Sequence, residues 1–292
     1  MAREPGAFPA CDNPARAAGL PGRILSARIL VLAPHMDDEL LACGGTMLLH
    51  SRKSDIYCLF ATDGAGSPAP LLPWTGRVDP DLASRRRREA AAVAAKIGIP
   101  EANFKFLDLP DGALSAHRAE LAAALDKAIA DIQPTFVFAP FRYDVHPDHT
   151  ALNSGARSVL RAMAAPPMLL EYFVYHRLRY APGGDVRGAL DDAALAVVDT
   201  APVAAAKREL LDGYASQTTV FYPWQERPIL TEESLQRRCA EPEFFLPADP
   251  AGPMSAGFAS HRRQIQLASL AMRFGKRPKD RALAFLRWIV AR

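Results

Sequence analysis

A histidine followed by three acidic residues is the first place where this sequence could do chemistry. His35 and Asp38 stand three positions apart, directly after the apolar residues 29–33, and Asp37 lies between them. Across a strand-to-helix turn, His35 and Asp38 can point at one cation while Asp37 stays free for proton transfer. The spacing therefore indicates a metal site with an acid–base group beside it.

A second polar turn, residues 146–149, contains two histidines and an aspartate and follows another apolar run. In open α/β sheets ligands bind at the carboxyl ends of strands, so this turn could complete the same site. The alternative is that the acids at 37–39 only interact with the positive end of a helix and bond its free amides. Because two histidines and a carboxylate from separate loops form a recurrent ligand set, we favour a metal-dependent hydrolase.

Length and charge set bounds on the class of protein. The chain has 292 residues, of which 49% are hydrophobic and 23% charged, enough for one large α/β domain with a substantial core. Its 35 basic and 32 acidic residues give a formal net charge of +3. This balance gives no indication of a nucleic-acid partner.

Cysteine usage and hydropathy bear on the compartment. The 4 cysteines show no close metal-ligand spacing, and Cys43 and Cys58 lie in apolar segments, where a reduced, buried thiol is expected. Residues 1–22 lack the apolar core of a signal peptide, and no stretch is long and apolar enough to span a bilayer. We therefore expect a cytoplasmic protein without a transmembrane segment.

Alternation of apolar runs with amphipathic segments predicts the architecture. It favours an α/β fold with three layers: a Rossmann-like, doubly wound, mostly parallel sheet, followed by an irregular or helical C-terminal extension. Residues 104–109 alternate apolar and polar side chains, which predicts an edge strand. Strands are predicted near 29–33, 56–61, 104–109, 135–140, 168–175 and 195–198, and helices near 38–50, 81–97, 115–132, 150–164, 202–214, 260–272 and 280–291.

Both polar turns resemble family signatures. Residues 35–39 with Gly44 and Gly45, and residues 146–149, resemble those of the PIG-L/LmbE-like family of zinc-dependent N-acetylglucosaminyl deacetylases. The likeness extends over about 27–217 and includes residues 62–64, Arg86, Glu89, Asp111, Lys207, Ser216 and Gln217. We accordingly divide the chain into a flexible N-terminal arm (1–22), a deacetylase-like α/β domain (23–217) and a C-terminal extension packed on the same domain (218–292).

The resemblance implies three sets of site residues. They are the zinc ligands His35, Asp38 and His149, the catalytic residues Asp37, His146 and Asp148, and the substrate-binding residues Arg86, Asp111 and Asp63. Asp37 would be the general base, His146 would stabilise the oxyanion or donate a proton, and Asp148 would orient a nearby histidine. Another divalent metal could replace Zn²⁺.

Two residues depart from the family pattern. Met36 stands where the family usually has proline, which should loosen the turn without removing a ligand. Ala65 stands where many members have an acid, so a substrate hydroxyl contact is expected to be missing.

The expected function is removal of an N-acetyl or other N-acyl group from a small-molecule amino sugar or glycoconjugate. An amidase acting on a thiol conjugate or an acylated antibiotic sugar is the first alternative, and a non-catalytic sugar-binding protein of the same fold is another. A non-haem iron oxygenase shares the two-histidine, one-carboxylate set, but those enzymes usually use antiparallel barrels. Oligomeric state is left open.

Overall fold

A computed structural model of the chain describes residues 27–52, 55–69, 79–144, 146–175 and 195–252. These residues form one mixed sheet of 7 strands. Its strands are β1 Arg28–Ala33, β2 Asp55–Thr62, β3 Phe104–Leu109, β4 Phe136–Pro140, β5 Met168–Tyr172, β6 Ala196–Val198 and β7 Glu243–Ala248. Their order in the sheet is β3-β2-β1-β4-β5-β7-β6, and β1 to β5 run parallel. The predicted α/β class is confirmed, as is the edge position of β3.

Helices cover both faces of this sheet. They are α1 Asp38–His50, α2 Leu82–Ile97, α3 Arg118–Ile132, α4 Pro147–Ala162, α5 Ala204–Asp212, α6 Ala215–Thr218 and α7 Glu232–Ala240. Short 3-10 turns occur at Glu101–Asn103, Leu114–Ala116 and Ala201–Val203. The connections between the parallel strands are therefore crossovers that contain helices, as a doubly wound sheet requires.

Strand β1 supplies both hydrophobic cores, because successive side chains of a strand point to opposite faces. Ile29 and Val31 pack into the core formed with α1 and α2, whereas Leu30 and Leu32 pack into the core formed with α3 and α4. β1 lies between β2 and β4, so neither face nor edge meets solvent. An uninterrupted apolar run is the pattern typical of such a strand, and this is why the sequence locates it.

The C-terminal part differs from the prediction. Residues 243–246 were expected to be irregular, which is wrong: they belong to β7, which pairs antiparallel with β5 and with β6. Helix α7 was not predicted; its cap is the Thr231 side chain, which accepts a hydrogen bond from the Ser234 amide at 3.4 Å. The sequence signal is weak because α7 is mostly polar and β7 contains Pro247.

Several predictions fall outside the described residues. These are the arm at 1–22 and the two terminal helices at 260–272 and 280–291. The domain boundaries stay predictions. No helix in the described ranges is both long and apolar enough to cross a membrane.

Candidate metal centre and active site

The polar residues singled out from the sequence lie at the carboxyl ends of the parallel strands. His35 and Asp37 follow β1, Asp63 follows β2, and Asp111 follows β3. The turn at 146–149 follows β4 and opens helix α4. Since the carboxyl ends of parallel strands meet at one edge of the sheet, these four loops converge on one place.

Asp38 lies at the centre of the proposed ligand set. Its Oδ2 atom is 3.1 Å from His35 Nδ1 and 3.2 Å from His149 Nε2. Four ligands at about 2.0–2.1 Å from a tetrahedral zinc ion are separated by about 3.3–3.4 Å, close to the spacing found here. Asp38 Oδ2 therefore lies at ligand-to-ligand distance from each histidine, with Asp37 beside them. The donor atoms of His35, His149 and the neighbouring His146 also lie within 4.8 Å of one another.

The environment of the His149 ring also suits a bound cation. Both of its ring nitrogens are buried without a hydrogen bond of normal geometry, although Nε2 faces Asp38 and Nδ1 lies 3.3 Å from Asp144 Oδ2. Burial opposes the charged ring, but the carboxylates of Asp38 and Asp144 outweigh it and raise the pKa of His149 to about 9. A metal ion between His149 and Asp38 would satisfy both groups, with Asp144 fixing the ring as an outer carboxylate.

Two carboxylates hold the other side of His35. His35 Nε2 is 3.2 Å from Asp111 Oδ1 and 3.3 Å from Asp148 Oδ2. Asp148 also accepts hydrogen bonds from the amides of Gly112 at 2.7 Å and Leu114 at 3.0 Å. Asp148 thus orients His35 and ties the loop after β3 to helix α4. His35, Asp111 and Asp148 form an alternative group whose donor atoms lie within 4.8 Å of one another.

The start of helix α4 corrects one prediction. The helix was expected to span about 150–164, but it begins at Pro147. Its cap is His146, whose Nδ1 accepts a hydrogen bond from the Asp148 amide at 3.3 Å. Proline is favoured in the first turn of a helix because its missing N–H needs no partner there.

Asp37 is a buried carboxyl group held by an arginine. Its Oδ1 is 3.4 Å from Arg86 Nη2, and its backbone φ of 144° lies in a region unusual for a residue other than glycine. Burial raises the pKa of Asp37 to about 6, and the positive charge of Arg86 limits the rise. At neutral pH the carboxylate is therefore mostly ionised, yet basic enough to take a proton.

Of the four consecutive arginines at 85–88, Arg86 alone is buried. Its Nη2 donates to the carbonyl of Met36 at 2.6 Å, and its Nη1 donates to those of Gly64 at 3.2 Å and Ser67 at 3.3 Å. Arg86 consequently fastens the turns after β1 and β2 together. Contact between Arg86 and a sugar stays a prediction.

His146 lies beside the proposed ligands, with its ring centroid 4.8 Å from that of His35. Burial and the positive charges of His35 and His149 lower the pKa of His146 to about 4. Because its Nδ1 accepts the Asp148 amide, the neutral ring carries its proton on Nε2. A neutral His146 ring can donate a hydrogen bond from Nε2, and its catalytic role stays a prediction.

The remaining predicted substrate residues hold the loops in place. Asp63 Oδ1 accepts hydrogen bonds from the amides of Ala65 at 3.0 Å and Asp111 at 3.3 Å. Asp111 Oδ2 accepts one from the Gly66 amide at 3.0 Å, and Asp111 also lines the pocket. Substrate contacts of both aspartates stay predictions.

Sequence reasoning missed part of the pocket that contains the site. This pocket measures about 480 Å³, and its wall includes Tyr175, Leu230, Ser234 and Arg238 in addition to the predicted residues. The Tyr175 ring packs 5.2 Å from the His149 ring. No local pattern could have identified these side chains, because they reach the site only through the path of the chain after β5.

Glu39 was not assigned a role from the sequence either. It is fully buried, accepts a hydrogen bond from the Tyr214 hydroxyl, and accepts another from the Asp37 amide at 3.0 Å. Burial raises the pKa of Glu39 to about 8. Glu39 therefore holds the backbone of the turn that contains Asp37.

Comparison with known proteins gives one family match. Residues 30–160 match the PIG-L family, described as GlcNAc-PI de-N-acetylase. That range includes most of β1, all of β2 to β4 and every residue proposed as a ligand. No curated protein sequence matches the chain.

Solved structures share the fold at low sequence identity. A conserved protein of Thermus thermophilus is 23% identical, with a TM-score of 0.53 over 80% of this chain and 98% of that one. The N,N'-diacetylchitobiose deacetylase of Pyrococcus horikoshii is 20% identical, with a TM-score of 0.54 over 79% and 86%. The zinc-inhibited form of a teicoplanin deacetylase is 17% identical, with a TM-score of 0.56 over 75% and 97%.

Proposed function

We propose that this chain, which carries a PIG-L family domain at residues 30–160, is a metal-dependent hydrolase that removes the N-acyl group of an amino sugar or its conjugate. The observation that carries the proposal is the position of Asp38 Oδ2, 3.1 Å from His35 Nδ1 and 3.2 Å from His149 Nε2. Similarity to deacetylases of chitobiose and teicoplanin supports an amide substrate on a sugar.

His35, Asp38 and His149 would hold the metal ion, with zinc as the first choice for two nitrogen ligands and one carboxylate. The chemistry that a bound divalent cation supplies is polarisation of the acyl carbonyl and a lowered pKa of water. Asp111 and Asp148 keep the His35 ring oriented through its Nε2.

Asp37 would act as the general base and then as the general acid. Its carboxylate accepts the proton of the attacking water and returns that proton to the departing amine. Arg86 holds the carboxylate by its Oδ1, and Glu39 holds its backbone amide. The neutral Nε2–H of His146 donates a hydrogen bond to the oxygen that becomes negative, a contribution of about 3–4 kcal/mol in comparable sites.

Acetate release is the direct test of this function. The protein is stripped of metal with a chelator and assayed on N-acetylglucosamine, on N,N'-diacetylchitobiose and on an N-acylglucosaminyl glycopeptide, before and after one equivalent of Zn²⁺. We expect hydrolysis of at least one substrate only after zinc is restored. Equal rates in the metal-free and zinc-loaded protein, or no release from any substrate, would contradict the proposal.

A further inference from the structure

Arg238 is a buried arginine that the proposed mechanism does not use. It lies on helix α7, lines the pocket, and is 4% exposed. One nitrogen, Nη2, donates to the carbonyl of Val174 at 2.7 Å. Its Nε and Nη1 atoms are buried and have no hydrogen-bond partner among the residues that the structure describes.

Such a group is costly to leave unpaired. A buried charged donor without a partner loses its hydration without a hydrogen bond to replace it. The carboxylates of Asp38 and Asp37 act on its charge through space, and burial still lowers the pKa of Arg238. Unpaired buried donors beside a pocket point to a ligand that supplies the missing acceptors.

The second arginine of the pocket is used differently. The Nη1 and Nη2 atoms of Arg86 already donate hydrogen bonds to three backbone carbonyls and to Asp37. Arg238 makes a single hydrogen bond to the described residues. Of the two guanidinium groups at the pocket, Arg238 therefore has more unused donors.

We propose that Arg238 binds an anionic group of the substrate, a carboxylate or a phosphate, and so selects N-acyl amino sugars that carry a negative charge. A planar guanidinium binds both groups with paired hydrogen bonds. Ser234 lies one turn earlier on the same helix and also lines the pocket, where its hydroxyl adds a donor. This inference rests on the proposed function for the identity of the rest of the substrate.

Arg238 lies outside the segment that matches the family model. The family match ends at residue 160, whereas Arg238 comes from α7, between α5 and strand β7. The wall that includes Leu230, Ser234 and Arg238 is thus separate from the segment that supplies the proposed ligands. Substrate choice and chemistry would be divided between two parts of the chain.

Matched substrate pairs test the proposal. N-succinylglucosamine is compared with N-butyrylglucosamine, and N-acetylglucosamine 1-phosphate with methyl N-acetylglucosaminide, so the two pairs place the charge on the acyl and the anomeric side. We measure kcat/KM of the zinc-loaded wild type, Arg238→Gln and Arg238→Lys. The control is Arg237→Gln, since Arg237 is the next residue, has a side chain 37% exposed, and pairs with Glu233.

In one pair we expect the wild type to prefer the anionic member by about 10-fold to 100-fold, the value of a hydrogen-bonded charge. Arg238→Gln should bring that ratio to about one, Arg238→Lys should keep part of it, and Arg237→Gln should keep all of it. Wild-type ratios near one in both pairs would overturn the proposal, as would an undiminished ratio in Arg238→Gln.

A binding measurement separates this inference from the proposed function. Failure to hydrolyse any of the four compounds contradicts the function, but their dissociation constants still report on Arg238. Calorimetry should then give tighter binding of one anionic member to the wild type and no such difference in Arg238→Gln. Should Arg238→Gln fail to fold, the wild-type ratios and Arg238→Lys decide the question.

Discussion

In the proposed site, the residues that bind the cation are different from the residue that moves a proton. His35, Asp38 and His149 face one another, whereas Asp37 turns towards Arg86. The neighbours Asp37 and Asp38 differ in role because one peptide turn, with an unusual φ of 144° at Asp37, directs their side chains to different partners. Substitution of each aspartate should therefore have different consequences.

We expect Asp37→Asn to keep its metal and to lose about 10²- to 10⁴-fold in kcat, the usual contribution of a general base. The amide retains the size of the carboxylate but takes up no proton. His149→Ala, as the matched variant, should lose both metal and turnover. Metal content by mass spectrometry and acetate release check this, and an active, zinc-loaded Asp37→Asn protein would refute the base assignment.

The sequence predicted the polar residues at the centre of the candidate site but not the side chains that line the rest of the pocket. The spacing of His35, Asp37 and Asp38 is local, so the sequence displays it directly. Arg238 and Tyr175 lie more than a hundred residues after the turn at 35–39, and nothing around them in the sequence indicates a pocket. The charge state of His146 was also beyond the sequence, because it depends on burial and on two neighbouring rings.

At the scale of elements, helix α1 packs unusually close to the C-terminal part of the fold. A Cβ atom on Gly45 would lie 2.3 Å from Thr200 Cγ2, whereas one on Gly44 would meet only flexible side chains at 3.3 Å or more. The two positions therefore make a matched test of packing.

Gly45→Ala should destabilise the protein by about 1–3 kcal/mol through overpacking. Gly44→Ala should change the stability by less than about 1 kcal/mol, because the higher helix propensity of alanine offsets small adjustments of Leu40 and Lys207. Chemical denaturation of both variants measures the difference. Equal stabilities would show that α1 and Thr200 are not in close contact.

A buried ion pair joins α1, α5 and β7. Lys207 Nζ is 2.7 Å from Glu243 Oε1, and Glu243 also accepts hydrogen bonds from the amides of Gly45 and Thr46. We expect Lys207→Met to cost about 3–5 kcal/mol, because it leaves a buried carboxylate without its counter-charge. The double variant with Glu243→Gln should recover part of that loss; a double variant no more stable than Lys207→Met would count against the pairing.

Element prediction succeeded where burial is complete and failed where the chain is amphipathic and short. β1, β2 and β4 are continuous apolar runs, which the sequence shows without ambiguity. β7 was missed because a charged residue, Glu243, begins it, and that charge is tolerated only through the distant Lys207. Long-range compensation of this kind leaves no trace in local periodicity.

In the whole molecule, the proposed metal centre would join loops that follow two neighbouring strands of the sheet, β1 and β4. His35 and Asp38 follow β1, and His149 follows β4, so one cation would link both connections. Without it, the buried carboxylates of Asp37 and Asp38 lie close together and repel each other. Metal binding is therefore expected to stabilise the fold as well as to support chemistry.

Free zinc at 100 times its dissociation constant should stabilise the protein by about 2.7 kcal/mol, or about 5–10 °C in Tm. Differential scanning calorimetry of the chelated and zinc-loaded protein measures this shift. Asp38→Asn should show little dependence on zinc. A zinc-independent Tm in the wild type would contradict the proposed link between the two loops.

An anomalous difference map at the zinc edge, from crystals of the protein with one equivalent of Zn²⁺, tests the central claim most directly. We expect one peak at about 2.0–2.2 Å from His35, Asp38 and His149, with Asp37 outside the coordination sphere. A peak held instead by His35, Asp111 and Asp148, or one coordinated by Asp37, would contradict it.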